Sequence, residues 1–163
     1  MKTLLIVFHS RTGGTRQMAC TAAAAAQAEP DVRVRLLTAG DTQPADVLGA
    51  DGYIFAAPEN LAALSGVMKD FFDRAYYPVL DRINGRPYGI LVCAGSDGAN
   101  AIRQMERIIT GWRLRSVADP VIVLTHAQTP QSILAPKRIA ADDLARCATM
   151  GATLAAGMAA GVF

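Results

Sequence analysis

The sequence predicts a single α/β domain built on a parallel β-sheet with helices on both faces. Strand-like apolar runs alternate with helix-like stretches along the whole chain, which is the pattern of such sheets. Three of these runs end in loops of glycine, proline and small polar residues. The 163 residues suffice for one well-buried domain and are few for two. We therefore expect the domain to span residues 1–163.

The first half of the chain contains three predicted strands. The apolar run of residues 3–8 predicts the first strand, and the Ala-rich stretch of residues 16–28 after it predicts a helix. Residues 32–36 alternate apolar with charged side chains, which is typical of a strand at a sheet edge. The third strand covers residues 53–57 and is expected to end at Pro58, where a second loop begins.

The second half continues the alternation. Apolar residues spaced by three and four predict an amphipathic helix with a buried face, namely Met68, Phe71, Phe72 and Ala75. Residues 88–93 form a continuous apolar run, typical of a central strand, and residues 99–112 follow as a helix. A last strand over residues 117–124 contains Pro120 and is placed at the other edge. A helix from about Lys137 closes a five-stranded sheet, for which we expect the strand order 2-1-3-4-5.

Composition and charge exclude several classes of protein. With 52% hydrophobic and 18% charged residues and a net charge of +2, the chain is neither a disordered segment nor a nucleic-acid binder. The apolar start is too short for a signal peptide, and the tail of Ala, Gly and Thr is a packed helix rather than a membrane span, so we expect a cytoplasmic protein. The three cysteines lie far apart, which predicts buried thiols and no metal site.

The loop after the first strand has the chemistry of a phosphate site. It lacks the lysine of a Walker loop and the glycine spacing of a dinucleotide fingerprint. Three hydroxyls are instead combined with two glycines, in the order Ser10, Thr12, Gly13, Gly14 and Thr15. Hydroxyls, backbone amides and a helix N-terminus bind phosphate without a metal. The alternative is an ordinary Thr/Gly turn with a helix cap.

Two segments carry a family resemblance. The first loop resembles the T/S-x-T-G-x-T loop of the flavodoxin-like superfamily. Residues 51–58 and 65–74, which read DGYIFAAP and SGVMKDFFDR, resemble a long signature of its NAD(P)H-dependent FMN reductases and quinone reductases. The resemblance implies a flavodoxin-like three-layer sandwich with FMN as cofactor and NAD(P)H as electron donor.

The resemblance also implies which residues hold FMN. The phosphate would be held by the first loop, and Arg11 would add positive charge beside it or else be a solvated arginine. The ring would be bordered by two further loops, comprising Pro58, Glu59, Asn60 and Leu61 in one and Gly95, Ser96, Asp97 and Gly98 in the other. Asp97 could alternatively cap the next helix. His9 could donate to the phosphate or substrate, or simply end the first strand. No side chain is assigned as a catalytic acid or base, because the flavin supplies the redox chemistry.

Three functions remain open from the sequence. The first is an FMN-dependent oxidoreductase that passes electrons from NAD(P)H to a quinone, a flavin or another small acceptor. The second is a flavodoxin-type electron carrier, which the net charge of +2 disfavours. The third is a regulatory module with weak or no flavin binding, suggested by the absence of an aromatic residue in the second loop. The partners expected are a small electron acceptor and possible copies of this chain, with no nucleic acid and no membrane.

Overall fold

The computed structural model describes residues 1–163 and contains seven strands and six helices. The strands are β1 Lys2–Phe8, β2 Val32–Thr38, β3 Gly52–Asn60, β4 Ala63–Leu64, β5 Pro87–Ala94, β6 Arg115–Ser116 and β7 Val121–Leu124. The helices are α1 Gly14–Ala26, α2 Pro44–Leu48, α3 Gly66–Val79, α4 Ala99–Gly111, α5 Pro130–Leu134 and α6 Ala141–Ala159. Strands and helices alternate along most of the chain, as predicted. The exceptions are the consecutive strands β3–β4 and β6–β7 and the consecutive helices α5–α6, among which the short elements β4 and α5 were not predicted.

The sheet has the predicted parallel order. The strands lie in the order β2-β1-β3-β5, and β6 and β7 both pair with the outer edge of β5, so together they fill the fifth position. The prediction of one continuous last strand over residues 117–124 was wrong. Pro120 has no N–H to donate, and the strand is divided into two short pieces on either side of residues 117–120. The closing helix also begins at Ala141, later than the predicted Lys137.

Each face of the sheet carries its own apolar core. In β1, Leu4 and Ile6 point to one face and Leu5 and Val7 to the other, as the period of two in a strand requires. The first core lies under α1 and α6. The second lies under α3 and α4 and contains an aromatic cluster with ring centroids 5.1 to 6.3 Å apart, formed by Phe55, Phe71, Phe72 and Trp112. This three-layer arrangement confirms the predicted fold class.

The α1–α6 pair packs closely because both helices carry small residues. A Cβ on Gly151 of α6 would lie 2.0 Å from the carbonyl oxygen of Ala22 in α1, so only glycine fits there. No helix combines the length and the apolar character needed to cross a bilayer. Cys93 and Cys147 are buried as expected, whereas Cys20 is exposed, because it lies on the face of α1 turned away from the sheet.

Candidate functional site

The loop between β1 and α1 forms the centre of the candidate site. Gly13 adopts a left-handed conformation, with φ of 91°, immediately before α1, and glycine does so without a Cβ penalty. Its N–H donates to the Ser10 hydroxyl oxygen at 3.1 Å, and its carbonyl accepts from the Gln17 N–H at 3.2 Å. These two bonds close the turn that leads from β1 into α1.

Five amides of this loop have no hydrogen-bond partner within the protein. They belong to Ser10, Arg11, Thr12, Gly14 and Thr15, all of which line one cleft. Two of them are in the first turn of α1, where helix geometry leaves N–H groups unpaired. A row of unpaired amides at the positive end of a helix dipole is an anion site, so the geometry fits the phosphate predicted from the sequence.

A Cβ could not be added at the centre of this loop without displacement. At Gly14 it would lie 2.7 Å from the sulfur of Cys93 and 3.4 Å from side-chain atoms of Lys137 and Ile139. The backbone of α1 therefore approaches β5 and the segment after α5 more closely than an alanine would allow. A larger residue at position 14 would have to displace these neighbours.

The second predicted loop is a β-hairpin. β3 continues through Pro58 to Asn60, and Glu59 and Asn60 pair antiparallel with Leu64 and Ala63 of β4. The expectation that the strand ends at Pro58 was therefore wrong, because a proline is tolerated where its missing N–H is not needed for pairing. Leu61 at the tip is fully exposed, at 101%, and does not line the cleft.

The hairpin base presents a carboxylate to the cleft. Pro58, Glu59 and Asn60 all line it, and the Oε2 atom of Glu59 is buried without any hydrogen-bond partner. A buried acceptor without a donor is costly. Because this atom belongs to a residue lining the cleft, a ligand N–H or hydroxyl bound there could satisfy it.

The third predicted loop contributes less than expected. Only Gly95 of its four candidates lines the cleft, together with Ala94 at the end of β5, whereas Ser96, Asp97 and Gly98 do not. The Asp97 carboxylate accepts from the Ala99 N–H at 3.3 Å, at the first residue of α4, which agrees with the capping alternative.

The cleft has a fourth wall that was not predicted from the sequence. The connection between β7 and α6, residues 125–140, lies along the cleft and contributes Thr125, Ala127, Ile133, Leu134 and Lys137. The placement of the last strand at the same sheet edge was a signal for residues 125–127, because carboxyl ends of parallel strands share that edge. The sequence of residues 128–140 has no strand or helix periodicity that would have predicted its position beside the cleft.

Comparisons with known proteins agree with this architecture. The sequence profile of the NADPH-dependent FMN reductase family matches residues 44–129, more than half of the chain. The chain belongs to this family. The matched residues include the hairpin and the third loop.

Individual relatives point the same way. A flavodoxin of Aquifex aeolicus is 35% identical over 96 residues, which cover 59% of this chain and 50% of that protein, so the match spans half of the relative's length. The solved structure of a flavodoxin, WrbA-like protein from Agrobacterium tumefaciens, is 18% identical, with a TM-score of 0.75 and 99% coverage of both chains. The Streptococcus pneumonia TIGR4 flavodoxin is 20% identical, with a TM-score of 0.73 over 94% of this chain and 98% of its own. The two solved structures establish the fold.

In this member of the family, burial shifts the pKa values of two titratable groups near the cleft. Burial, and then the neighbouring positive charge of Arg11, lower the pKa of His9 below its ordinary 6.5. The His9 ring nitrogen Nδ1 is 2.9 Å from the hydroxyl of Ser65, a fully buried residue at the start of α3. His9 does not line the cleft, so the structure favours the interpretation in which it joins the end of β1 to α3. Burial raises the pKa of Cys93 to about 11, so its thiol is protonated at neutral pH.

Proposed function

We propose that the protein is an NAD(P)H-dependent oxidoreductase that holds FMN in this cleft and passes electrons to a quinone, a flavin or another small acceptor. The observation that carries the proposal is the row of unpaired amides at Ser10, Arg11, Thr12, Gly14 and Thr15, in a chain of the FMN reductase family. When bound, FMN would supply the redox chemistry between a nicotinamide nucleotide and the acceptor.

The residues of the cleft divide into two groups under this proposal. The amides and hydroxyls of the first loop bind and orient the phosphate, which fixes the position of the rest of the cofactor. The hairpin base, at the end of β3, and Gly95, directly after the neighbouring strand β5, would border the ring. The unpartnered Oε2 of Glu59 would accept a hydrogen bond from an N–H or hydroxyl of the cofactor. Its negative charge disfavours added negative charge in the ring.

A flavodoxin-type carrier is the second candidate, because the Aquifex aeolicus relative is named a flavodoxin. Two observations favour the enzyme. The family profile is that of a reductase. The net charge is +2, whereas a carrier that is steered to basic partners relies on an excess of negative charge.

Anaerobic reduction distinguishes the two functions. The protein is loaded with FMN, freed of excess flavin and mixed without oxygen with NADPH or with NADH, while dithionite serves as the positive control. An enzyme loses its visible flavin absorbance with at least one nucleotide within the time of mixing and measurement. Reduction by dithionite alone would instead assign the carrier function, because the flavin would be present but closed to hydride donors.

A further inference from the structure

Lys137 occupies an unusual position in the fourth wall of the cleft. It lies in the irregular connection after α5, and it is only partly exposed. Its Nζ donates to three backbone carbonyls, those of Ser132 at 2.8 Å, Ile133 at 2.8 Å and Ala135 at 2.6 Å. These acceptors use all three ammonium protons and satisfy carbonyls at the end of α5. The positive charge is therefore held in one place rather than carried on a mobile side chain.

The backbone of Lys137 is hydrogen-bonded to the first loop, between β1 and α1. Its N–H donates to the Thr12 carbonyl at 2.8 Å. The Gln17 side-chain amide bridges the two segments, donating to the carbonyls of Gly13 at 2.9 Å and Lys137 at 2.7 Å, and its Oε1 accepts from the Ile139 N–H at 3.1 Å. Lys137 thus moves with the loop that carries the unpaired amides, which fixes the distance between its charge and any anion bound there.

No carboxylate neutralises this charge. None of the six ion pairs in the structure includes Lys137. The other charged residues lining the cleft are Arg11, which is exposed, and Glu59, which stands on the hairpin side. A half-buried cation interacts more strongly with an anion than an exposed one does, because water screens it less.

We infer that Lys137 is the specificity-determining residue that selects the phosphorylated flavin, FMN, over riboflavin. Its ammonium protons are already used, so it acts through its field on the phosphate rather than by direct hydrogen bonding. The inference rests on the proposed function, since it assumes that a flavin phosphate occupies the amide row. It adds a determinant outside the first loop and outside residues 44–129.

Binding of two flavins to matched variants tests this inference. Lys137→Met removes the charge and keeps the apolar stem, and Lys137→Gln also keeps a donor for the carbonyls. Arg138→Met is the control, because it removes the same charge from the next, exposed residue, which does not line the cleft. Dissociation constants for FMN and riboflavin are measured by quenching of flavin fluorescence, and thermal melting reports whether each variant is folded.

We expect both Lys137 variants to raise the dissociation constant of FMN about tenfold, the order of effect of one partly screened charge. Riboflavin binding should stay within about twofold, as should the binding of both flavins to Arg138→Met. Equal weakening of FMN and riboflavin would overturn the inference, because it would show that Lys137 only supports the wall. An unchanged preference for FMN in both variants would overturn it too. A wild-type protein that binds neither flavin would overturn the proposed function as well.

Discussion

The turn of the β3–β4 hairpin is predicted to store strain that two substitutions would release. Leu61 and Ala62 connect the paired residues Asn60 and Ala63, and their φ angles are 52° and 60°. A two-residue hairpin turn with both φ values positive is normally formed by Asn-Gly. Both side chains are exposed, and the Ala62 contact with Asn100 uses the backbone carbonyl, at 2.6 Å. Replacing Leu61 and Ala62 by Asn and Gly therefore removes no visible contact.

The size of the effect follows from backbone conformation. A left-handed L-residue costs roughly 1–2 kcal/mol, and a glycine loses about 0.5–1 kcal/mol more entropy on folding than alanine. The double variant Leu61→Asn/Ala62→Gly should gain ~1 kcal/mol in free energy of unfolding. For a chain of this size that corresponds to a rise of about 2–4 °C in Tm.

Urea denaturation measures this gain. The midpoint should move upward at constant slope, whereas the control Leu61→Ala, which keeps the positive φ, should stay within about 0.5 kcal/mol of the wild type. A double variant with an unchanged or lower midpoint would refute the reasoning. A gain matched by Leu61→Ala would refute it as well, because the effect would then come from the exposed leucine rather than the backbone.

Three further predictions concern the cleft and its surroundings. Gly14→Ala should lower the free energy of unfolding by about 1–3 kcal/mol through the clash with the Cys93 sulfur, and adding Cys93→Ala to this variant should recover much of that loss. Additive effects of the two substitutions on stability in urea denaturation would contradict the clash. Because the folded-state pKa of His9 is lowered, unfolding takes up a proton between that pKa and 6.5, and the free energy of unfolding should rise with pH in this window. The slope of this free energy against pH should be smaller in His9→Asn, and an identical slope in both proteins would contradict the prediction. With a maleimide reagent at neutral pH, Cys20 should react quickly and Cys93 and Cys147 slowly, because the latter two are buried with pKa values raised to about 11. Mass spectrometry of the digested protein identifies the labelled cysteines, and early labelling of Cys93 would contradict this order.

The regular parts of the fold were predictable because local pattern and tertiary role agree there. The buried face of α3, with Met68, Phe71, Phe72 and Ala75, and its solvent ion pairs, such as Lys69–Asp73 at 2.6 Å, follow from helical spacing. The sheet order follows from alternation and right-handed crossovers.

The irregular parts were not predictable for physical reasons. Pro58 indicates a strand end, yet the structure continues the strand because the missing N–H is not needed there. The residue types of Leu61 and Ala62 do not predict the turn that they form, because asparagine and glycine are the residues usually found in such turns. Lys137 reaches the cleft through long-range bonds to Thr12 and Gln17, which no local pattern encodes.

The central claim is that the amides and hydroxyls of the first loop hold FMN, and the most direct measurement is the visible spectrum of the purified protein after incubation with FMN and gel filtration. The wild type and the control Thr149→Ala, which alters an exposed threonine of α6, should elute with flavin absorbance. Thr12→Ala/Thr15→Ala should elute without it while remaining folded. A colourless wild-type protein, or a loop variant that retains flavin as well as the control does, would contradict the claim.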